Sequence, residues 1–177
     1  MSESNKPEII TFQMKYDEFY YLGKEYFGTG YSLATANWGA LYDDFGNSGG
    51  WDMVSEYHMK PYSVMSGIFH QNNPEHEIYH LGTFTKKTDQ IPDGFILVKY
   101  PACEYFVITT NWLPEHDDIY NKGAHGLCLH YMDNTMQIPE EYERYGGPNQ
   151  KIIRIEAENC DDENGYRFEI WIPIKKK

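Results

Sequence analysis

The residues best suited to chemistry lie near the end of the sequence, in the segment R-F-E-I-W-I-P-I-K-K-K. Glu169 and Trp171 alternate there with apolar residues, which is the pattern of a half-buried strand. A carboxylate beside an indole on the second face of a strand is partly desolvated, so it binds a cation or a hydrogen-bond donor. The pattern predicts a ligand site around Glu169; the alternative is an exposed glutamate that pairs with Arg154 or Lys151.

The segment H-E-I-Y-H, residues 76–80, matches the H-E-x-x-H signature of zinc proteases. That signature needs a helix, because only a helix points two histidines four residues apart at one metal ion. Gly82 and the β-forming residues after it favour a strand, on which His76 and His80 lie about 13 Å apart. The run 115–118, Glu-His-Asp-Asp, has residue types that bind a metal, but the start of a helix, where carboxylates are favourable, is the simpler explanation. The sequence therefore predicts no metal and no cofactor.

The elements that position these residues repeat once along the chain. Each half reads as strands, a helix and a hairpin, judged from hydrophobic spacing and turn residues. In the first half these elements fall in the segments 9–27, 38–46 and 63–85, with a second short helical piece at 51–57. In the second half they fall in the segments 95–111, 115–132 and 151–174.

This organisation predicts a disordered tail at 1–8 and one domain at 9–177, with repeat units at about 9–85 and 95–174. Two strand-helix-strand-strand units side by side predict an α+β fold in pseudo-twofold arrangement. It has one antiparallel sheet, with helices on one face and a binding groove on the other. The long segment 133–150 is predicted to drape over the groove.

Several residues are predicted to line the groove together with Glu169. Aligning the last strands of the two halves matches His80 with Trp171 and Ile78 with Glu169, all on the helix-free face. Tyr105 lies on an aromatic strand of the second half and is a further candidate. For Trp112, which follows that strand, two roles stay open: closing one end of the groove or capping the core.

Composition and charge limit the class of ligand. Aromatic residues make up 16% of the chain and the formal net charge is −12, which argues against binding to a nucleic-acid backbone. An acidic protein rich in aromatic rings suits a cationic or aromatic small molecule, or mimics DNA towards a DNA-handling enzyme. No segment has the length of a membrane span, so no membrane partner is expected.

The three cysteines, Cys103, Cys128 and Cys160, are widely spaced and form no C-x-x-C motif. The N-terminal residues are polar and do not resemble a signal peptide. Both features are typical of a cytoplasmic protein with free thiols.

The duplicated unit that ends in E-I-W-I-P-I-K-K-K resembles the GyrI-like domains. These are the small-molecule-binding modules of AraC-type and MerR-type bacterial regulators, and they also occur alone as gyrase-inhibitory-type proteins. The opening P-E-I-I-T-F-Q-M-K-Y-D-E-F-Y-Y-L-G and the segment K-Y-P-A-C-E-Y-F-V-I are similar to strands of that family. The resemblance covers most of residues 7–177.

The resemblance implies a groove that binds cationic, lipophilic or polycyclic compounds, with Glu169 at its centre and Trp171 beside it. Trp38 and the bulky residues after it match the helix signature of the family, which makes Trp38 a further candidate for ligand binding. The regulators carry a helix-turn-helix before this module, and this sequence shows none there, so no direct contact with nucleic acid is expected.

Three functions stay open at this point. The favoured one is a stand-alone effector-binding or drug-binding protein, because a pocket alone explains Glu169 and Trp171. The resemblance also implies a hydrolase of strained cyclopropane-type electrophiles, with Glu169 as the catalytic carboxylate. The third function is an acidic protein that interacts with gyrase.

Overall fold

The computed structural model of the chain describes residues 6–29, 37–62, 66–73, 76–146 and 152–177, which form nine strands and four helices. The strands are β1 (Ile9–Tyr16), β2 (Phe19–Thr29), β3 (Ser66–Asn73), β4 (His76–Thr85), β5 (Ile96–Tyr100), β6 (Cys103–Thr110), β7 (Tyr142–Arg144), β8 (Ile152–Asp162) and β9 (Gly165–Lys176). The helices are α1 (Trp38–Asn47), α2 (Gly50–Tyr57), α3 (Asp118–Asn121) and α4 (Ala124–Asn134). Within these ranges no helix has the length and apolar character needed to cross a membrane.

The strands form one antiparallel sheet in the order β1-β6-β9-β8-β3-β4-β2-β5, and β7 pairs with the end of β9. Strands β2, β4 and β3 belong to the first unit, strands β6, β9 and β8 belong to the second, and the units meet where β3 pairs with β8. Each unit also pairs with one strand from the other half of the chain: the strand that stands just before the first unit pairs with the second unit, and the reverse. Strand β1 pairs with β6, and β5 pairs with β2. This arrangement confirms the predicted α+β fold of two strand-helix-strand-strand units.

Both helix pairs lie on the same face of the sheet, as predicted. Helices α1 and α2 contribute Leu41, Phe45, Met53 and Val54 to a core with Leu22, Phe69, Tyr79 and Leu81. Helices α3 and α4 contribute Ile119, Ala124 and Cys128 to a core with Phe106, Ile108, Phe168, Ile170 and Ile172. Because neighbouring residues of a strand point to opposite faces, the residues between these core positions point away from the helices.

The second helix differs from its prediction. A single helix was expected over 115–132, but the chain forms the short α3 and the longer α4 with Gly123 between them. Gly123 has φ of +78°, a left-handed conformation that glycine adopts without a steric penalty and that ends a helix. In the first unit Asn37 caps α1, since its side chain accepts a hydrogen bond from the Ala40 amide.

The segment 133–150 also differs from its prediction. Met136, Ile138 and Tyr142 pack in the core under α3 and α4, and β7 lengthens the sheet beside the end of β9. The described part of this segment, which ends at residue 146, therefore lies on the helix side and does not cover the helix-free face.

The helix-free face carries a second core that is mostly aromatic. We call its rings the aromatic cluster: Tyr16, Phe19, Tyr21, Tyr62, Phe84, Tyr100, Tyr105 and Trp171. Strands of both units supply these rings, and Tyr62 reaches the face from the connection after α2. The cluster therefore spans the junction of the two units, where the sequence predicts a groove.

Candidate ligand-binding site

Glu169 and Trp171 lie on β9, in the middle of the second unit, and both side chains are fully buried. The indole Nε1 of Trp171 donates a hydrogen bond to Glu169 Oε2 across 2.7 Å. The guanidinium Nε of Arg167 donates to the other oxygen, Oε1, also across 2.7 Å. The carboxylate is therefore held by two neighbours on its own strand, one neutral and one positively charged.

The exposed glutamate that was the alternative prediction is not what the structure shows. Arg154 pairs instead with Glu156, through Nε and Oε1 at 2.8 Å, and Lys151 lies outside the described residues. Glu156 lies on the helix side, where it faces Tyr42 and Tyr79. The chain thus has two Arg-x-Glu pairs of similar geometry on opposite faces of the sheet, and the pair at Glu169 is the more deeply buried.

Arg167 is held in place by aromatic rings at the edge of the site. Its guanidinium lies 4.1 Å from the ring centre of Trp112 and 5.5 Å from that of Phe12. The side chain is 17% exposed, so the ion pair with Glu169 sits at the boundary between the buried carboxylate and solvent. Trp112 lies at the edge of the site, where its ring stacks on the cation that binds Glu169.

Trp171 lies at the centre of the aromatic cluster. Its ring centre is 4.9 Å from Tyr62, 5.0 Å from Tyr16, and 5.5 Å from both Phe84 and Tyr105. Edge and tilted contacts of this kind place the positive edge of one ring against the negative face of another. The cluster therefore packs polarisable rings around the indole that binds the Glu169 carboxylate.

The negative charge of Glu169 affects the pKa of the two phenols beside it. Burial raises the pKa of Tyr62, and the nearby Glu169 carboxylate raises that pKa further. The same two causes, in the same order, raise the pKa of Tyr16. Both phenols therefore stay protonated at neutral pH and are available as hydrogen-bond donors near the carboxylate.

Tyr105 has a buried hydroxyl that makes no hydrogen bond within the described part of the chain. Buried polar groups in folded proteins nearly always have a partner, and those without one need a specific explanation. This hydroxyl belongs to a ring that contacts Trp171, so the aromatic cluster contains a buried hydroxyl with no hydrogen bond to any described residue.

His80 and Ile78 are buried on β4, the strand that corresponds to β9 in the first unit. The His80 ring lies 4.7 Å from that of Tyr21, and its Nδ1 is 3.2 Å from the Tyr100 hydroxyl. Phe84 links this part of the cluster to Trp171, because it contacts both Trp171 and Tyr21. The H-E-I-Y-H segment is a strand, as predicted.

Trp38 is the one candidate that the structure places elsewhere. It is the first residue of α1 and packs against Tyr79 and Phe69 on the helix side, with ring centres 5.1 and 6.1 Å away. The sheet separates Trp38 from Glu169, so the two residues are not brought together. In this structure the residue that matches the helix signature, Trp38, packs α1 against the sheet of the first unit.

Sequence reasoning missed three residues at this site. Arg167 stands two positions before Glu169 on the same strand, so alternation alone could have placed both side chains on one face. Tyr16 stands next to the turn that follows β1, and Tyr62 lies between α2 and β3, where no periodicity exists. Both residues are far from Trp171 in the sequence, so no local sequence pattern indicates that they contact it.

A second group of polar side chains lies on the helix side, around the fully buried Glu158 of β8. His116 Nε2 is 2.7 Å from Glu158 Oε2, and the Tyr120 hydroxyl donates to Oε1. The hydrogen bond to Glu158 raises the pKa of His116. Cys160 is close by, and ligand atoms of His116, Glu158 and Cys160 all lie within 4.8 Å of one another. Such a group is able to hold a metal ion.

Comparison with known proteins agrees with this architecture. Residues 14–174 match the model of the Cass2 family, described as integron-associated effector binding proteins. No curated protein sequence matches the chain significantly.

Solved structures share the fold at low sequence identity. The structure of SAV2435 bound to tetraphenylphosphonium matches with a TM-score of 0.64 and 10% identity over 94% of each chain. An integron cassette protein of Vibrio cholerae matches with a TM-score of 0.58 and 12% identity, over 93% of this chain and 95% of the other. A putative transcription regulation protein of Staphylococcus aureus MU50 matches with a TM-score of 0.56 and 13% identity, over 95% and 98%.

The match to the family model extends over nearly the whole chain, and these structures agree with it in fold. The resemblance to GyrI-like domains that the sequence indicated is therefore confirmed. The chain belongs to the Cass2 family of integron-associated effector-binding proteins.

Proposed function

We propose that this protein binds lipophilic aromatic cations at Glu169, on the helix-free face of the sheet. The observation that supports this proposal is the fully buried Glu169 carboxylate beside the aromatic cluster. A desolvated carboxylate attracts a cation strongly, and aromatic rings attract it with their negative faces. Tetraphenylphosphonium, the compound bound to SAV2435, combines a single positive charge with four phenyl rings and so matches both requirements.

Arg167 gives the site an internal cation that the ligand replaces. The guanidinium balances Glu169 in the absence of ligand, which avoids leaving a buried charge uncompensated. Because Arg167 is partly exposed and stacks on Trp112, it can leave Glu169 and turn towards solvent without losing that ring contact. In this mechanism the ligand cation takes over the Glu169 oxygen that Arg167 releases, and its rings pack on Trp171 and Tyr62.

The proposal is tested by calorimetric titration of tetraphenylphosphonium and of neutral triphenylphosphine oxide. The Glu169→Gln variant keeps the size of the side chain and removes its charge. We expect its affinity for tetraphenylphosphonium to fall about tenfold or more, which corresponds to about 1.4 kcal/mol, and its affinity for the neutral compound to stay unchanged. The matched control is Glu156→Gln, which removes the carboxylate of the other Arg-x-Glu pair.

Two outcomes would overturn the proposal. One is an unchanged affinity of Glu169→Gln for the cation, and the other is an equal loss in both glutamine variants. The exchange mechanism has its own test in Arg167→Met, which removes the competing cation. We expect this variant to bind tetraphenylphosphonium more tightly than the wild type, and to gain more in melting temperature when the cation is added.

Two other functions implied by the family resemblance stay predictions. Hydrolysis of strained electrophiles would be lost in Glu169→Gln, while binding of a flat neutral ligand would persist. An interaction with gyrase through the acidic surface would not respond to Glu169→Gln and would weaken as salt is added. A cytoplasmic location is proposed on the sequence features alone.

A further inference from the structure

The group around Glu158 lies on the face of the sheet opposite to Glu169 and has no part in the proposed ligand site. Glu158 and Cys160 stand two residues apart on β8, and His116 approaches them from the segment before α3. The Glu158 side chain is completely buried, whereas that of His116 is 40% exposed. A buried carboxylate is costly unless hydrogen bonds and a positive charge compensate it, so this position favours a positively charged partner, which either His116 or a metal ion supplies.

The types of the three ligand atoms restrict which metal ion fits. An imidazole nitrogen, a carboxylate oxygen and a thiolate sulfur form a mixed set that suits Zn²⁺ in tetrahedral coordination. Magnesium and calcium prefer oxygen ligands only, so the Cys160 sulfur selects against both. Three protein ligands leave the fourth position of a zinc ion for water, and the exposed side of His116 provides the route of entry.

The distance between His116 and Glu158 needs only a small adjustment. His116 Nε2 and Glu158 Oε2 are 2.7 Å apart, which is hydrogen-bond distance. Zinc bonds to nitrogen and oxygen are each about 2.0–2.2 Å, so tetrahedral ligands stand about 3.3 Å apart. The half-exposed His116 ring therefore has to move by less than about 1 Å to admit a metal ion. The Cys160 sulfur, which lies within 4.8 Å of the other two ligand atoms, has to approach them by up to about 1 Å.

Two neighbours lie beside the ligands, at positions that outer residues occupy in zinc sites. His116 Nδ1 lies 3.6 Å from Asp117 Oδ1, so the second ring nitrogen faces a carboxylate while Nε2 faces Glu158. A carboxylate at that position keeps the proton on Nδ1 and leaves the Nε2 lone pair for the metal. The Tyr120 hydroxyl holds Glu158 Oε1, which leaves Oε2 to bind as a single oxygen ligand.

We propose that His116, Glu158 and Cys160 form a Zn²⁺ site on the helix side of the sheet, with Asp117 and Tyr120 as positioning residues. The full chain, freed of metal by dialysis against a chelator, is titrated with Zn²⁺ by calorimetry and with Co²⁺ by absorption spectroscopy. We expect one ion per chain and an intense near-ultraviolet band from thiolate-to-Co²⁺ charge transfer. The band is expected because the Cys160 sulfur binds as the thiolate.

Variants separate this site from adventitious binding at other thiols. Cys160→Ser is expected to lose the charge-transfer band, and His116→Ala to weaken Zn²⁺ binding more than about tenfold. The matched control is Cys103→Ser on β6, which removes a half-buried cysteine elsewhere in the sheet and keeps the band. Asp117→Asn keeps the band but weakens Zn²⁺ about tenfold, as expected for a residue that acts through His116.

Three results would overturn the proposal: no Zn²⁺ binding by the wild type, a Co²⁺ complex without the thiolate band, or a band that persists in Cys160→Ser. Because all the variants except that of Asp117 alter buried or half-buried residues, circular dichroism is recorded for each of them. If Cys160→Ser does not fold, protection of Cys160 from alkylation by added Zn²⁺, with Cys103 unprotected, decides the question in the wild-type protein.

Discussion

The indole of Trp171 and the carboxylate of Glu169, two residues apart on one strand, are joined by a hydrogen bond of 2.7 Å. The bond fixes the orientation of an anion that water does not reach and ties it to the centre of the aromatic cluster. Arg167 occupies the second oxygen, so the unliganded site is electrically balanced. One strand therefore supplies the anion, its neutral donor and the internal cation that we propose a ligand replaces.

The first prediction concerns the cost of breaking this arrangement. Glu169→Leu leaves the Arg167 guanidinium without its carboxylate and the Trp171 N–H without an acceptor. Removing one partner of a buried ion pair is strongly destabilising, so we expect the free energy of unfolding to fall by about 3 kcal/mol. Equilibrium unfolding in urea measures this loss.

The matched substitution is Glu156→Leu, which breaks the pair on the helix side. Glu156 and Arg154 are 14% and 23% exposed, so water compensates the arginine that is left and the expected loss is about 1 kcal/mol. Equal losses of unfolding free energy in the two leucine variants would contradict this prediction, because the deeper burial of Glu169 would then add nothing to the stability that its ion pair contributes.

The sequence predicted those parts of the fold that local periodicity encodes. Alternation in β9 placed Glu169 and Trp171 on one face, and the repeat of elements gave two units with helices on the other face. The exchange of β1 and β5 between the units was not predictable in this way. Each strand has the same alternation whichever neighbour it pairs with, so only packing over the whole sheet selects the partner.

The candidate site shows the same limit. Tyr62 reaches Trp171 from a connection without periodicity, and Arg167 could be placed on the right face but not assigned to Glu169. His116 and Glu158 are 42 residues apart in the chain, on a loop and a strand. No spacing rule links such residues, so the sequence could mark the run around His116 as able to bind a metal but could not bring it together with Glu158 and Cys160.

The second prediction compares two buried tyrosines of the aromatic cluster. The Tyr100 hydroxyl bonds to His80 Nδ1, whereas that of Tyr105 makes no hydrogen bond within the described residues. We expect Tyr100→Phe to lower the free energy of unfolding by about 1–2 kcal/mol. Tyr105→Phe removes a buried hydroxyl without such a partner, so the expected change is within about 0.5 kcal/mol of zero or is stabilising.

Urea unfolding of both phenylalanine variants checks this comparison, since each substitution removes one oxygen atom and preserves the ring. A loss of more than about 1 kcal/mol in Tyr105→Phe would mean that its hydroxyl is satisfied in solution. It would then be unavailable to a polar group of a ligand.

The third prediction concerns alkaline pH. Burial is the main cause that raises the pKa of several tyrosines well above the ordinary value of 10.0, among them the fully or largely buried Tyr21, Tyr62, Tyr79, Tyr100 and Tyr105. Below pH 10 these phenols are neutral in both states and do not affect stability. Above pH 10 they ionise in the unfolded chain but stay protonated in the folded one, so the folded state binds more protons and stability falls as pH rises.

The expected loss is about 1.4 kcal/mol per pH unit for each such tyrosine. Absorbance of tyrosinate measures the titration, with the protein in urea as the reference. In the folded protein these phenols should ionise only in the cooperative step in which the protein unfolds. Smooth titration of all tyrosines near pH 10, with no loss of structure, would contradict the burial of these rings.

The fourth prediction uses Cys128, which lies on α4 in the core between the helix and the sheet. Burial, with a smaller contribution from the Glu169 charge, raises the pKa of its thiol from 9.0 to about 12. Because the thiolate is the reactive form, Cys128 should resist iodoacetamide at pH 8 in the folded protein and react readily in urea. Mass spectrometry after a short alkylation pulse gives the extent of reaction at each cysteine.

The rate at Cys128 then reports how the second unit opens. The ratio of the alkylation rates of Cys128 in the unfolded and folded protein gives a free energy of opening. If α4 leaves the sheet only when the whole protein unfolds, this free energy should equal the global free energy of unfolding measured in urea. Above pH 9 the thiol ionises in the unfolded chain first, so stability and protection should fall together. Alkylation of folded Cys128 as fast as in urea would instead show that α4 detaches locally, and the packing of Cys128 against Phe168 and Ile170 would not persist in solution.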